Sequence, residues 1–299
     1  MSISLLSAGR RISSSNLGLH PEAIRWSRRV VDNGGSASPT TLAAVSSFCT
    51  AIEAAGIRDR FYRLNLFCGG NLAACLVPLY RGQSLGGTQF GNAVDANENF
   101  VSGDYTETGT SGGLGTGATN STKSLDTGFV PFNAGLVHSD SHMSFYSRQG
   151  NTSTGSVMAS AFAVTSSEHW QWFLNGTSGS VSQFYRSGGQ NNSGIEGSFA
   201  LRTGHLIALR SGSSAAIIRN GTNLSLTANT TITTTWTTDR PRAVRVFARR
   251  FVANNVDSTD QRIATTLQAY SMGAAMTDAQ GLAYYNAIQA FQTALGRQL

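Results

Sequence analysis

Trp170 and Trp172 lie either side of Gln171 in a strand-like run, and Tyr185 follows on a later run. Residues two apart on a strand share a face, so the indoles would form one aromatic surface. Such a surface stacks on sugar rings while Asn and Asp take the hydroxyls. Trp170, Trp172 and Tyr185 are therefore the candidate glycan-binding set, although filling a sandwich core is the commoner task of large aromatics. Signals for catalysis are weaker. The chain has no Gly-x-Ser-x-Gly elbow for a serine nucleophile. Gly113-Leu114-Gly115-Thr116-Gly117 lacks the Gly-Lys-Ser/Thr of a phosphate loop and is read as a glycine-rich loop. His138, Asp140 and His142 would face one metal only on a strand running through all five residues; surface histidines at a strand start are expected instead. A retaining glycosidase needs two carboxylates roughly 5 Å apart. Here Glu98, Asp104 and Glu107 fall in a loop-like region without that spacing. No catalytic residue and no cofactor is assigned, and metal binding stays open. Asp126, in Ser-Leu-Asp-Thr-Gly, is read as a turn anchor rather than a calcium ligand.

Composition sets the frame for these residues. Only 13% of the 299 residues are charged and 33 are glycine. That balance suits an all-β chain with many turns and argues against a helical bundle or a charge-driven disordered chain. A hydrophobic fraction of 40% allows a sizeable core. No run approaches 18 apolar residues, so no membrane partner is expected. The first residues lack the apolar stretch and cleavage site of a secretory leader. The formal charge is +6, and every basic residue except Lys123 is arginine. Specific nucleic-acid binding would pair such charge with stacking aromatics in a motif, and none accompanies it. Arginine is read instead as a maker of bidentate pairs and subunit contacts. Cys49, Cys68 and Cys75 are odd in number with no Cys-x-x-Cys, so buried thiols are expected.

The elements that position these residues fall into three blocks. Residues 1–20 form an extended arm carrying Arg10 and Arg11. Residues 21–60 form a helical hairpin: Pro21 starts one helix that Asn33-Gly34-Gly35 stops, and Ser38-Pro39 starts a second that Gly56 ends. Arg10, Arg11, Trp26, Arg28 and Arg29 are the expected assembly contacts of this attachment module. From residue 61 short strands alternate with turns. Phe61–Phe67, His142–Arg148 and Ala243–Arg249 alternate in polarity, and Asn175-Gly176 and Asn220-Gly221 mark hairpins. About a dozen such runs predict an antiparallel β-sandwich over 61–299. Thr277 caps a closing helix over 277–296.

The order of segments resembles a known family. A helix precedes LNLFCGGNLAACLVPLYRG (64–82); GGTQFGN (86–92), SLDTGFVP, HMSFYSRQGN (142–151) and IIRNGTNL follow; and the chain ends YSMGAAMTDAQGLAYYNAIQAFQTALGRQL (270–299). This looks like the concanavalin A-like (LamG-type) jelly-roll sandwich of virion structural proteins in tailed bacteriophages, over about residues 57–299. The closing Tyr-Ser-x-Gly strand, Thr-Asp helix and Leu-Gly-Arg end are its most specific part. The resemblance implies a tail, fibre, baseplate or capsid-decoration protein, assembled in the bacterial cytoplasm. Its partners would be other virion proteins and copies of itself, a trimer among the options. A receptor-binding lectin for host surface glycan is the alternative, and a carbohydrate-active hydrolase the third reading.

Overall fold

The computed structural model describes residues 18–119, 122–137, 139–148, 156–162, 169–177, 180–187, 195–198, 203–229, 242–253, 256–260 and 262–299. Arg10, Arg11 and most of the arm lie outside them.

The helix punctuation holds. Helix α1 (Pro21–Asp32) starts with its proline, and His20 caps it by accepting from the Glu22 amide. Helix α2 (Pro39–Ala54) is capped by Ser38, whose Oγ accepts from the Thr41 amide at 3.0 Å. Gly56 ends that helix with a φ of 64°. A one-turn α3 (Leu72–Cys75) follows, and α4 (Asp278–Ala294) closes the chain with Thr277 and Gln280 in a capping box.

The strands are β1 (Phe61–Asn65), β2 (Ala96–Glu98), β3 (Tyr105–Thr106), β4 (Gly113–Gly115), β5 (Ser124–Asp126) and β6 (Asp140–Ser147). Next come β7 (Ser156–Phe162), β8 (His169–Thr177), β9 (Ser180–Ser187), β10 (Ile195–Ser198), β11 (Gly204–Ser211) and β12 (Ser214–Arg219). The last six are β13 (Thr222–Asn223), β14 (Leu226–Asn229), β15 (Arg245–Val246), β16 (Arg249–Ala253), β17 (Val256–Asp260) and β18 (Thr266–Gly273). They build two eight-stranded antiparallel sheets. The first runs β13-β12-β11-β6-β18-β4-β3, with β1 also on β18; the second runs β14-β10-β9-β8-β7-β15-β5-β2. Strands β16 and β17 form a separate ribbon. The protein is a mainly-β antiparallel sandwich, as the turn spacing predicts.

Helices turn this sandwich into three layers. Along β11, Leu206 and Ala208 join the core between the sheets, whereas Ile207 and Leu209 join a second core under the helices. That second core holds Trp26, Val45 and Phe48 of α1 and α2 with Ile288 and Phe291 of α4. The helical hairpin is thus covered by α4 and the first sheet, not left bare. Each large side chain buried here contributes roughly 1.5–3 kcal/mol. Gly281 lets α4 come close: a Cβ there would stand 2.5 Å from Ile218 Cδ1.

Three local expectations change. Ala243–Arg249 is not one strand, because Phe247 takes a φ of 69° and separates β15 from β16. Asn175-Gly176 is not a turn but lies inside β8, where Gly176 pairs with Val181 and Thr177 with Ser180; continuing the ladder satisfies two more residues. Gly113–Gly115 is a strand rather than a loop, since Leu114 is buried opposite Leu267 and a Cβ on Gly113 would stand 2.7 Å from the Leu267 carbonyl. The Asn220-Gly221 hairpin is as expected, with φ angles of 46° and 79°.

Candidate binding cleft

Helix α1 divides its residues by the helical period. Ala23, Trp26 and Val30 enter the core, and the Trp26 indole N–H donates to the Val77 carbonyl at 3.0 Å. Arg25, Arg28 and Arg29, three and four apart, stay on the other side. Mutual hydrogen bonds of 3.1 Å between Leu64 and Tyr80 tie the segment after α3 to β1 and bring Arg81 alongside α1. Between them lies a cleft of about 400 Å³ with five arginines, Arg25, Arg28, Arg29, Arg58 and Arg81, against the single carboxylate of Glu22.

Three of these arginines are held by the protein. Arg58 Nε donates to both Glu22 carboxylate oxygens at 2.7 and 2.8 Å, its Nη1 donates to the Gly82 carbonyl at 2.7 Å, and its guanidinium stacks 3.7 Å above the Tyr80 ring. Arg29 donates to the Leu79 carbonyl at 3.0 Å and Arg81 to the Gly91 carbonyl at 2.8 Å. Burial, then the neighbouring charges of Arg81 and Arg63, push the Arg29 pKa down to about 10. Arg81 is lowered by burial and by Arg63. Burial is the larger cause in both, with repulsion from neighbouring arginines adding to it.

Arg25 and Arg28 differ from the other three. Both are exposed, and neither has a hydrogen bond or ion pair among the described residues. Leu85, 42% exposed, adds an apolar patch opposite them, and Ser84 and Gln89 add small polar groups. The cleft can therefore hold a compact anionic or strongly hydrogen-bonding ligand between free guanidinium forks and an apolar wall.

The other candidate residues do not converge. Trp26, expected as an assembly contact, is 1% exposed and belongs to this chain's own core. Arg28 and Arg29 both line the cleft. Trp172 pairs with Tyr185 across β8 and β9, in a row that continues through Ala159 and Val246 to Leu125. Val246 and Leu125 of that row are buried between the sheets; the side-chain surroundings of Trp170, Trp172 and Tyr185 lie outside the described residues. His138 also lies outside them. His142 Nδ1–H donates inward to the Ala274 carbonyl at 2.7 Å and Asp140 accepts from the Ala275 amide at 3.2 Å, so they form no metal pair. Glu98 bonds Ser124 and Arg245, Asp104 takes Lys123 at 2.5 Å, and Glu107 accepts from Thr41 at 2.7 Å. Asp126 anchors its turn by accepting from the Gly128 amide at 2.8 Å.

One group of potential metal ligands stands beside the cleft: donor atoms of His20, Glu22 and Cys49 lie within 4.8 Å of one another. It does not fit a cation. His20 Nε2–H is used by Glu53 at 2.9 Å, Glu22 is held by Arg58, and burial raises the Cys49 thiol to about 12, far from the thiolate a metal needs. Sequence reasoning missed Arg25, Arg58 and Arg81. The spacing of Arg25 with Arg28 and Arg29 was visible on α1, but the placement of Arg81 depends on the Leu64–Tyr80 pairing.

No family model and no curated protein matches this chain. Solved structures give distant matches. The CBM40 domain of Ruminococcus gnavus IT-sialidase bound to α2,3-sialyllactose matches at 9% identity and TM-score 0.33, over 47% of this chain and 78% of its own. Domain 4 of AbnA, a GH43 arabinanase from Geobacillus stearothermophilus in complex with arabinotriose, matches at 14% identity and TM-score 0.32, over 48% and 65%. A Trypanosoma rangeli sialidase mutant matches at 10% identity and TM-score 0.43, over 83% and 39%. Likeness of this degree assigns neither ligand nor activity.

Proposed function

We propose that this chain is a carbohydrate-binding sandwich protein that works by binding rather than turnover, with the arginine-lined cleft as its ligand site. One observation carries the reading. The cleft, about 400 Å³, presents two arginines that have no partner among the described residues, beside an exposed leucine and small polar side chains. A sugar has the matching surfaces, hydroxyls at its edge and an apolar ring face. Support for binding over hydrolysis comes from Glu98, Asp104 and Glu107, each engaged by different partners instead of facing a shared space. A glycan array probed with the full chain tests this, alongside mass analysis of any bound glycan after incubation. Intact glycan on the array spots supports the reading; no bound glycan, or shortened products, overturns it.

A second reading places the chain in a bacteriophage virion, attached through residues 1–60 and displaying 61–299. Its support is the resemblance of residues 270–299 and an apolar groove between α2 and α4, lined by Ala43, Ala51, Ala290 and Ala294. Light scattering on the full chain and on a copy lacking residues 1–20 tests it. Assembly of the full chain alone favours an attachment arm; two monomers remove that support.

A further inference from the structure

We infer that the feature recognised in the cleft is a carboxylate, so that the ligand is an acidic saccharide unit; this rests on the carbohydrate-binding reading above. The argument is an accounting of charge and donors. Among the described residues Glu22 is the only acidic lining residue, and Arg58 holds both of its oxygens. A ligand carboxylate therefore meets no free like charge in the cleft. Arg29 and Arg81 each spend a donor on backbone carbonyls, which fixes them as a positive floor. The exposed forks of Arg25 and Arg28, one helical turn apart, have no partner among the described residues. A planar carboxylate matches such a fork with two parallel hydrogen bonds, and two forks three residues apart suit one anionic group with neighbouring hydroxyls.

The opposite wall suits the rest of a sugar. Gly86 brings its loop near α1: a Cβ there would be 3.9 Å from Arg25 Nη1. Leu85 beside it offers an apolar surface for a ring face. The volume of about 400 Å³ lies within the usual range of small-ligand pockets, about 300–1,000 Å³. A space of that size favours one or two sugar units over a strand of nucleic acid.

Calorimetric titration tests the inference with uronic acid trimers (galacturonic and glucuronic), their neutral methyl esters and a single-stranded DNA oligonucleotide. The full chain is compared with the Arg25→Ala/Arg28→Ala variant, whose substituted side chains are exposed and have no partner among the described residues; circular dichroism checks that it folds. The expected result is binding of an acidic trimer that weakens at least tenfold on esterification and at least tenfold in the variant, and that falls as salt rises. Ester binding equal to acid binding, or an unchanged variant, overturns the carboxylate while leaving carbohydrate binding in place. DNA binding as tight as the acid, with the same dependence on Arg25 and Arg28, replaces the saccharide with a nucleic acid. If neither trimer nor ester binds and the glycan array is blank, the functional reading falls with the inference.

Discussion

Arg297 Nη2 donates to the Leu66 carbonyl at 2.6 Å, joining positions 231 residues apart. The same side chain donates to the carbonyls of Phe67 at 2.8 Å, Glu107 at 3.1 Å and Gln268 at 3.2 Å, and to Gln292 Oε1 at 2.5 Å. It is fully buried, and it gives the closing Leu-Gly-Arg a physical purpose. Gly296, at a φ of 65°, turns the chain out of α4 so that Arg297 can point back under β1. Arg297→Ala would leave these acceptors without a donor in the interior, a loss of about 3–5 kcal/mol. A fall of that size in the unfolding free energy from urea titration is expected; a variant within 1 kcal/mol, roughly the scale of one ordinary hydrogen bond, would contradict it.

A second buried arginine sits in the inter-sheet core. Arg63 Nη2 donates to Asp95 Oδ1 at 2.5 Å, Tyr270 OH donates to both Asp95 oxygens at 2.8 Å, and Asn65 Nδ2 donates to Asp95 Oδ2 at 2.8 Å. Asp95→Ala strands a buried guanidinium and should cost about 3–5 kcal/mol, whereas pairing it with Arg63→Met should recover part of the loss. Additive losses in a double-mutant cycle would contradict this coupling.

Acid should destabilise the fold through two buried histidines. Burial lowers His142 to about 4 and His205 to about 3, from ordinary values near 6.5. His205 lies between aromatic rings, 4.9 Å from the Tyr284 centroid. Below pH 6.5 the unfolded chain takes up protons that the folded chain refuses, so stability falls as pH drops from about 6.5 towards 3–4 and levels off below. Each histidine contributes a slope of up to about 1.4 kcal/mol per pH unit. Unfolding midpoints measured across this window should follow that slope, and His205→Phe should remove part of it. A flat profile between pH 6 and 4 would rule the effect out.

Much of the scaffold was legible in the sequence because its signals are local. Pro21, Ser38-Pro39 and Thr277 are caps that act within one turn, and Asn220-Gly221 needs only its own backbone angles. The interruption at Phe247 was not visible, since an alternating run hides a positive φ. The cleft was half legible: the helix period groups Arg25, Arg28 and Arg29, while Arg58 and Arg81 arrive through contacts distant in sequence. A helix stripe does not reveal that Trp26 is buried in this chain's own second core, with its indole N–H on the Val77 carbonyl.

The thiols should be silent in the folded state. Cys49, Cys68 and Cys75 are free and buried, and burial raises Cys49 and Cys68 to about 12. With a thiol reagent at pH 8, no rapid reaction is expected in the folded protein and all three should react in denaturant. A fast-reacting thiol in the native protein would contradict the burial of these three side chains.

The central claim, that the arginine cleft is the ligand site, is tested most directly by the arginine side-chain Nε–H resonances during titration with a uronic acid trimer. The account predicts that Arg25 and Arg28 signals shift together with backbone amides of residues 84–89. Saturable binding that leaves those signals in place and moves the outer strands of the second sheet instead would contradict it.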